Sequence, residues 1–110
     1  MGLDIRFTSY NNKVCPHCGE IIGKRKICNV DSSGREWYPI LEKLGYYVPY
    51  EKRNESNDWY GKDMILTEEQ LKELYSFVSE NQVLYNRLEV KNMLASAIVD
   101  GNGIIINADW

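Results

Sequence analysis

Leu3, Ile5 and Phe7 alternate with Asp4, Arg6 and Thr8. This is the two-residue period of a strand that buries one face, and it predicts a first β-strand over residues 3–8. Asn11-Asn12-Lys13 reads as a turn. Ile21-Ile22 and Ile27-Cys28-Asn29-Val30 are short β-prone runs separated by Gly23 and three basic residues, which predicts a small hairpin over residues 20–30. Asp31-Ser32-Ser33-Gly34 breaks the pattern, and from Trp37 the period becomes helical. Trp37, Ile40, Leu41 and Leu44 fall at offsets of three and four, Pro39 suits the first turn and Gly45 the position after the last, so a short helix is expected over residues 38–44. Tyr46-Tyr47-Val48-Pro49-Tyr50 should be extended, because a residue before proline is steered away from α geometry. Residues 51–58 carry no apolar side chain and predict an exposed loop.

Thr67-Glu68-Glu69-Gln70 is the clearest start signal in the chain. The threonine hydroxyl can accept from the amide of Gln70 while Gln70 reaches back, and the two glutamates meet the positive end of the helix dipole. Leu71, Leu74, Tyr75 and Val78 then share one stripe, giving a helix over residues 67–80. A second helix over residues 83–99 is expected from Leu84, Leu88, Val90, Met93, Leu94, Ala97 and Ile98, whose wide apolar cover implies a central position. Asp100-Gly101-Asn102-Gly103 ends it. Ile104-Ile105-Ile106 reads as a buried strand over residues 104–108, paired with residues 3–8. The fold class is therefore α+β: a single domain over residues 1–110, with a knuckle-and-hairpin subregion at 1–34 and a helical body at 35–110.

A length of 110 residues suits one core. The net charge is −3, but residues 1–34 hold five Lys/Arg against three Asp/Glu, so they carry +2 and the remainder −5. That balance argues against a nucleic-acid surface spread over the whole domain and confines the possibility to the knuckle region. Asp4 and Arg6 interrupt the apolar residues at the start, and no run approaches membrane-spanning length. The expected setting is cytoplasmic, without a membrane partner.

Candidate chemistry centres on Cys15-Pro16-His17-Cys18-Gly19. Two thiols three positions apart on a tight turn can grip one metal ion from the same side. With Cys28 and Asp31 following, the pattern is Cys-x2-Cys, a spacer, then Cys-x2-Asp, the paired spacing of a tetrahedral structural zinc site. The expected cofactor is Zn2+, held by Cys15, Cys18, Cys28 and Asp31, with His17 as the alternative fourth ligand. The competing readings are a knuckle that keeps its cysteines as small buried hydrophobes and a thiol-disulfide oxidoreductase built on Cys-Pro-His-Cys. The latter needs a helix N-terminus after the first cysteine, and Gly19-Glu20-Ile21-Ile22-Gly23 makes a poor helix.

Lys24, Arg25 and Lys26 either offset the charge of such a site or contact phosphate. Seven of the 13 aromatic residues lie between Trp37 and Tyr60. Trp37 with Tyr46 or Tyr47 suits the core, whereas Tyr50, Trp59 and Tyr60 flank the polar loop and form a candidate partner-binding patch. Enzyme templates do not fit: the glycines at 101 and 103 follow a helix and precede a strand, the reverse of a phosphate cradle. Asp58 and Asp63 have no histidine near them in sequence.

The combination of Met1-Gly2-Leu3-Asp4-Ile5, Cys15-Pro16-His17-Cys18-Gly19 and Trp37-Tyr38-Pro39-Ile40-Leu41 resembles small bacteriophage and prophage proteins that open with a Met-Gly-Leu-Asp strand, over about the first 45 residues. The resemblance implies a phage or mobile-element setting and no particular chemistry. The knuckle resembles half of a zinc ribbon, with Asp31 where the last cysteine would stand. The expected role is a non-enzymatic protein-interaction module with an accessory function and a protein partner. A nucleic-acid-binding knuckle is the alternative and a thiol-disulfide oxidoreductase the second alternative.

Overall fold

The computed structural model describes residues 3–14, 16–56 and 58–110, and for residues 12–14, 21, 22, 24 and 50 the backbone alone. Strand β1 runs Asp4–Val14 and β2 runs Ile21–Ser33, followed by helix α1 at Tyr38–Lys43. Then come β3 at Met64–Ile65, α2 at Glu68–Glu80, α3 at Arg87–Asp100 and β4 at Gly103–Asp109. The strands form one antiparallel sheet in the order β2-β1-β4-β3. The expected α+β class is the observed one.

The two-residue period of β1 does what it predicted. Ile5 and Phe7 stand opposite Ala108 and Ile106 of β4, and all four are buried on the side that the helices cover. Burying such an apolar side chain contributes about 1.5–3 kcal/mol each. Trp37, fully buried, lies 5.1 Å from the Phe7 ring and 6.0 Å from Phe77. Its indole N–H donates to Ser32 Oγ at 3.0 Å, and Ser32 in turn donates to the Tyr85 carbonyl.

Three boundaries differ from the sequence reading. Strand β1 does not turn at Asn11-Asn12-Lys13 but continues to Val14, and residues 21–33 form one strand rather than a separate small hairpin. The ladder between Asn11↔Arg25, Asn12↔Lys24 and Lys13↔Gly23 extends the pairing after the buried alternation has stopped. A hairpin needs only its partner strand, so a hydrophobic period cannot mark its end. The helix expected over 83–99 begins at Arg87, because Asn86 adopts φ 58° and turns the chain. Arg87 then donates through Nε and Nη2 to the Val78 and Ser79 carbonyls, both at 2.8 Å, closing the C-terminus of α2. The third difference is β3, too short to leave a periodic signal.

The start of α2 matches its signature. Thr67 Oγ1 accepts from the Gln70 amide at 3.2 Å and Gln70 Oε1 accepts from the Thr67 amide at 2.9 Å. Gly45 and Gly101, at φ 81° and 71°, end α1 and α3 in the left-handed region that favours glycine.

Candidate functional site

Strand β1 has two neighbours only as far as Tyr10, which pairs with Gly103 at the start of β4. Beyond that point Asn11–Val14 pair with Ile21–Arg25 alone, so the two strands leave the sheet as a two-stranded ribbon. Four residues at about 3.4 Å each, plus the turn that closes it, carry the ribbon roughly 15–20 Å past the sheet. The molecule is correspondingly elongated, 49 × 33 × 23 Å, with a radius of gyration of 14.7 Å against about 13 Å for a compact chain of this length. Where the ribbon leaves the sheet, Ile27 is an extra residue of β2 between Ser9↔Cys28 and Tyr10↔Lys26. Such a bulge bends the strand and increases its twist.

The ribbon and the body carry opposite charge. Residues 11–26 hold four Lys/Arg and one Glu, giving +3, and the rest of the chain holds nine against fifteen, giving −6. Arg25, on the ribbon, and Lys26, at its root opposite Tyr10, are both exposed and, as successive strand residues, leave opposite faces of β2. Neither makes an ion pair among the described residues.

The face of the sheet away from the helices is a shallow concavity of about 520 Å³. Asp4, Asp31, Asp63 and Asp109 line it against Arg6 and Lys26, an excess of negative charge. Here Arg6 Nε donates to Asp31 Oδ1 at 2.9 Å, and Thr8 Oγ1 donates to Asn29 Oδ1 at 2.7 Å. The Asp31 hydrogen bond, and then its charge, push the Arg6 guanidinium pKa further up. The excess disfavours an anion on the part of this face that these carboxylates line.

The expected zinc ligands are not brought together among the described residues. Cys15 lies outside them, and Cys18 and His17 are exposed in the turn at residues 16–18. Cys28 stands seven strand residues beyond Ile21, roughly 23 Å away at about 3.3 Å per residue, and shares a hydrogen bond with Ser9 Oγ at 3.1 Å. Asp31 is paired with Arg6. No group of three or more His, Cys, Asp or Glu side chains suited to a metal occurs among the described residues. Residues close along the sequence are drawn apart in space by a single long strand. After the turn the chain enters β2, so no helix N-terminus follows to stabilise a thiolate.

The aromatic residues divide differently from the expectation. Trp59 is half-buried and stacked 6.2 Å from Tyr46, Tyr60 remains 48% exposed, and the Tyr50 side chain lies outside the description. The organising ring is one the sequence reading passed over, Trp110. It meets Tyr47 at 5.1 Å and Tyr60 at 5.0 Å edge-to-face, with the Arg53 guanidinium 5.4 Å from its ring and 5.6 Å from that of Tyr47. Arg53 Nε and Nη2 also donate to the Val48 carbonyl at 3.0 and 2.9 Å, so the polar 51–58 segment is tied to the body through this half-buried cation. No helix among the described residues is long and apolar enough to cross a membrane. Compared with family models, with curated proteins and with solved structures, the chain finds no match, so the function is argued from the ribbon and the charge around it.

Proposed function

We propose that this chain is a non-catalytic binding module that meets an anionic partner with the ribbon of residues 11–26, the helical body acting as a packed, negatively charged base. One observation carries the reading: the positive excess of the chain sits on a projection and its root that add no side chain to the core among the described residues, while the body and the open sheet face carry an acidic excess. Charge of one sign gathered on a protrusion raises the local concentration of an oppositely charged partner and guides its approach. The phage or prophage accessory role implied by the opening residues is kept as the setting.

Retention on immobilised heparin tests the reading. The full chain is expected to bind at low ionic strength. A variant in which Lys13, Lys24, Arg25 and Lys26 are all replaced by Gln is expected to elute in the void. Equal retention of the two chains, or no retention of either, refutes it. A protein partner at Tyr60 is the second reading, supported by that ring's exposure beside Trp110. It predicts that Tyr60→Ala leaves heparin retention unchanged.

A further inference from the structure

We infer that the anionic partner is double-stranded nucleic acid, entered by the ribbon through a groove and held by its phosphates; this rests on the ribbon reading above. Shape is the first argument. A two-stranded antiparallel ribbon has its strands about 4.8 Å apart, and a major groove about 12 Å wide admits one.

Charge placement is the second. Arg25 leaves one face at the start of the ribbon, and Lys26, at its root opposite Tyr10, leaves the other. A ligand that presents phosphates on both sides, as the walls of a groove do, satisfies both at once, whereas a flat acidic protein surface satisfies one. Residue type is the third. Residues 11–26 contain no Phe, Tyr or Trp, so the ribbon lacks the rings on which unpaired bases stack. It does carry Asn11, exposed and opposite Arg25, and asparagine is a side chain that reads base edges in the major groove. The carboxylates of the sheet face and body then repel the flanking duplex, so that contact is confined to the ribbon and its root.

Fluorescence anisotropy with a labelled 20-base-pair duplex, titrated from 50 to 200 mM salt, tests this inference. The ribbon has four cations, Lys13, Lys24, Arg25 and Lys26. At about −0.9 per phosphate neutralised they predict a slope of log K against log salt near −3.6, or roughly a 150-fold loss of affinity across that range. In Arg25→Ala/Lys26→Ala the slope should fall to about −1.8 and the loss to roughly 12-fold. Both positions are exposed, so circular dichroism should report an unchanged fold.

Single-stranded DNA of the same length should compete more weakly than the duplex, and polyglutamate more weakly still. Competition by single strands equal to the duplex overturns the inference, as does a slope that the double variant leaves unchanged. Polyglutamate competing as well as duplex transfers the site to acidic proteins and also overturns it. Heparin retention without duplex binding removes the nucleic-acid partner and leaves the binding module standing; absence of both removes the two together.

Discussion

Replacing Tyr46 by phenylalanine removes one oxygen atom from the middle of the molecule. That oxygen accepts from the Ala108 amide at 2.7 Å and donates to the Lys62 carbonyl at 2.7 Å, with the Ala108 carbonyl 3.1 Å away. Two of these groups have an alternative. The Ala108 carbonyl also accepts from the Gly61 amide at 2.8 Å, and Lys62 is exposed, so water reaches its backbone. The Ala108 amide has none, because Ala108 is 1% exposed within β4. An orphaned buried donor costs about 1–3 kcal/mol, so a loss of about 2 kcal/mol is expected. With about 2.1 cal/mol/K of unfolding entropy per residue, the melting temperature should fall by roughly 9 °C.

Phenylalanine keeps the ring, so the stacking on Trp59 survives and the change isolates the hydrogen bonds. Urea unfolding followed by tryptophan fluorescence measures the loss, and a value under about 0.5 kcal/mol at unchanged m refutes the reasoning. A second readout comes from pH. Burial pushes the Tyr46 hydroxyl pKa up, against the backbone hydrogen bond to Ala108, which lowers it. The unfolded chain releases this proton near 10 and the folded chain only at higher pH. Stability from the buried phenol is therefore complete below about pH 10 and declines as pH rises through the folded value. The stability gap between the unaltered chain and Tyr46→Phe should be flat up to about pH 10 and narrow above it; an equal gap at about pH 8 and about pH 11 contradicts the assignment.

Ser32→Ala leaves the buried Trp37 indole N–H without its acceptor at 3.0 Å. A loss of about 1–3 kcal/mol is expected in urea, largely absent when the same change is made in Trp37→Phe. Trp110→Ala deletes the edge-to-face contacts with Tyr46, Tyr47 and Tyr60 and one ring beside Arg53. At about 0.5–1.5 kcal/mol per aromatic pair, the expected loss is about 3 kcal/mol, with faster proteolytic cleavage within residues 51–58. Gly103→Ala would drive a Cβ into the Tyr10 ring, so the buried ring must move; about 1–3 kcal/mol should be lost in thermal unfolding. Elemental analysis should find the same metal content in Cys28→Ser as in the unaltered chain, since Cys28 lies along β2 beside Ser9; depletion by Cys28→Ser would restore the expected four-ligand zinc set.

Much of this fold is legible in the sequence where one face is buried against another. Leu3, Ile5 and Phe7, the Thr67–Gln70 capping box, Gly45 after α1 and the Ile104–Ile106 run each carry a local signal with a single structural solution. The errors fall where a partner distant in sequence decides. The break expected at Asp31-Ser32-Ser33 is the end of β2, because Ser32 is buried under Trp37 and bonded to Tyr85, 53 residues further on. The helix expected from residue 83 is delayed by Asn86, whose side chain donates to the Asp31 carbonyl at 3.0 Å.

The candidate site divides in the same way. The cationic run at Lys24-Arg25-Lys26 was visible as charge, but its placement on a projection was not, since cross-strand pairing between polar residues has no hydrophobic period. A signal was nonetheless present. β-compatible residues at 5–10 and 27–30 flank Cys15–Gly19 almost symmetrically, which places the turn of one long hairpin at the knuckle and not at Asn11-Asn12-Lys13.

The ribbon also explains why stability and binding can vary separately in this chain. An isolated two-stranded hairpin is marginal in water, and residues 11–26 bring no buried apolar side chain among those described to stabilise one. What holds the ribbon is its root. There Tyr10 is buried against Gly103, Ser9 is bonded to Cys28, and β1 is still flanked by strands on both sides. The bulge at Ile27 lies at this root and fixes the phase of the strand that emerges. Without the extra residue, each side chain beyond it would change faces, so Lys26 would no longer line the open sheet face with Arg25 on the other side. The body thus supplies rigidity to the root, the bulge sets which way each cation points, and the charges beyond it are free to be chosen by the partner, because the core does not depend on them.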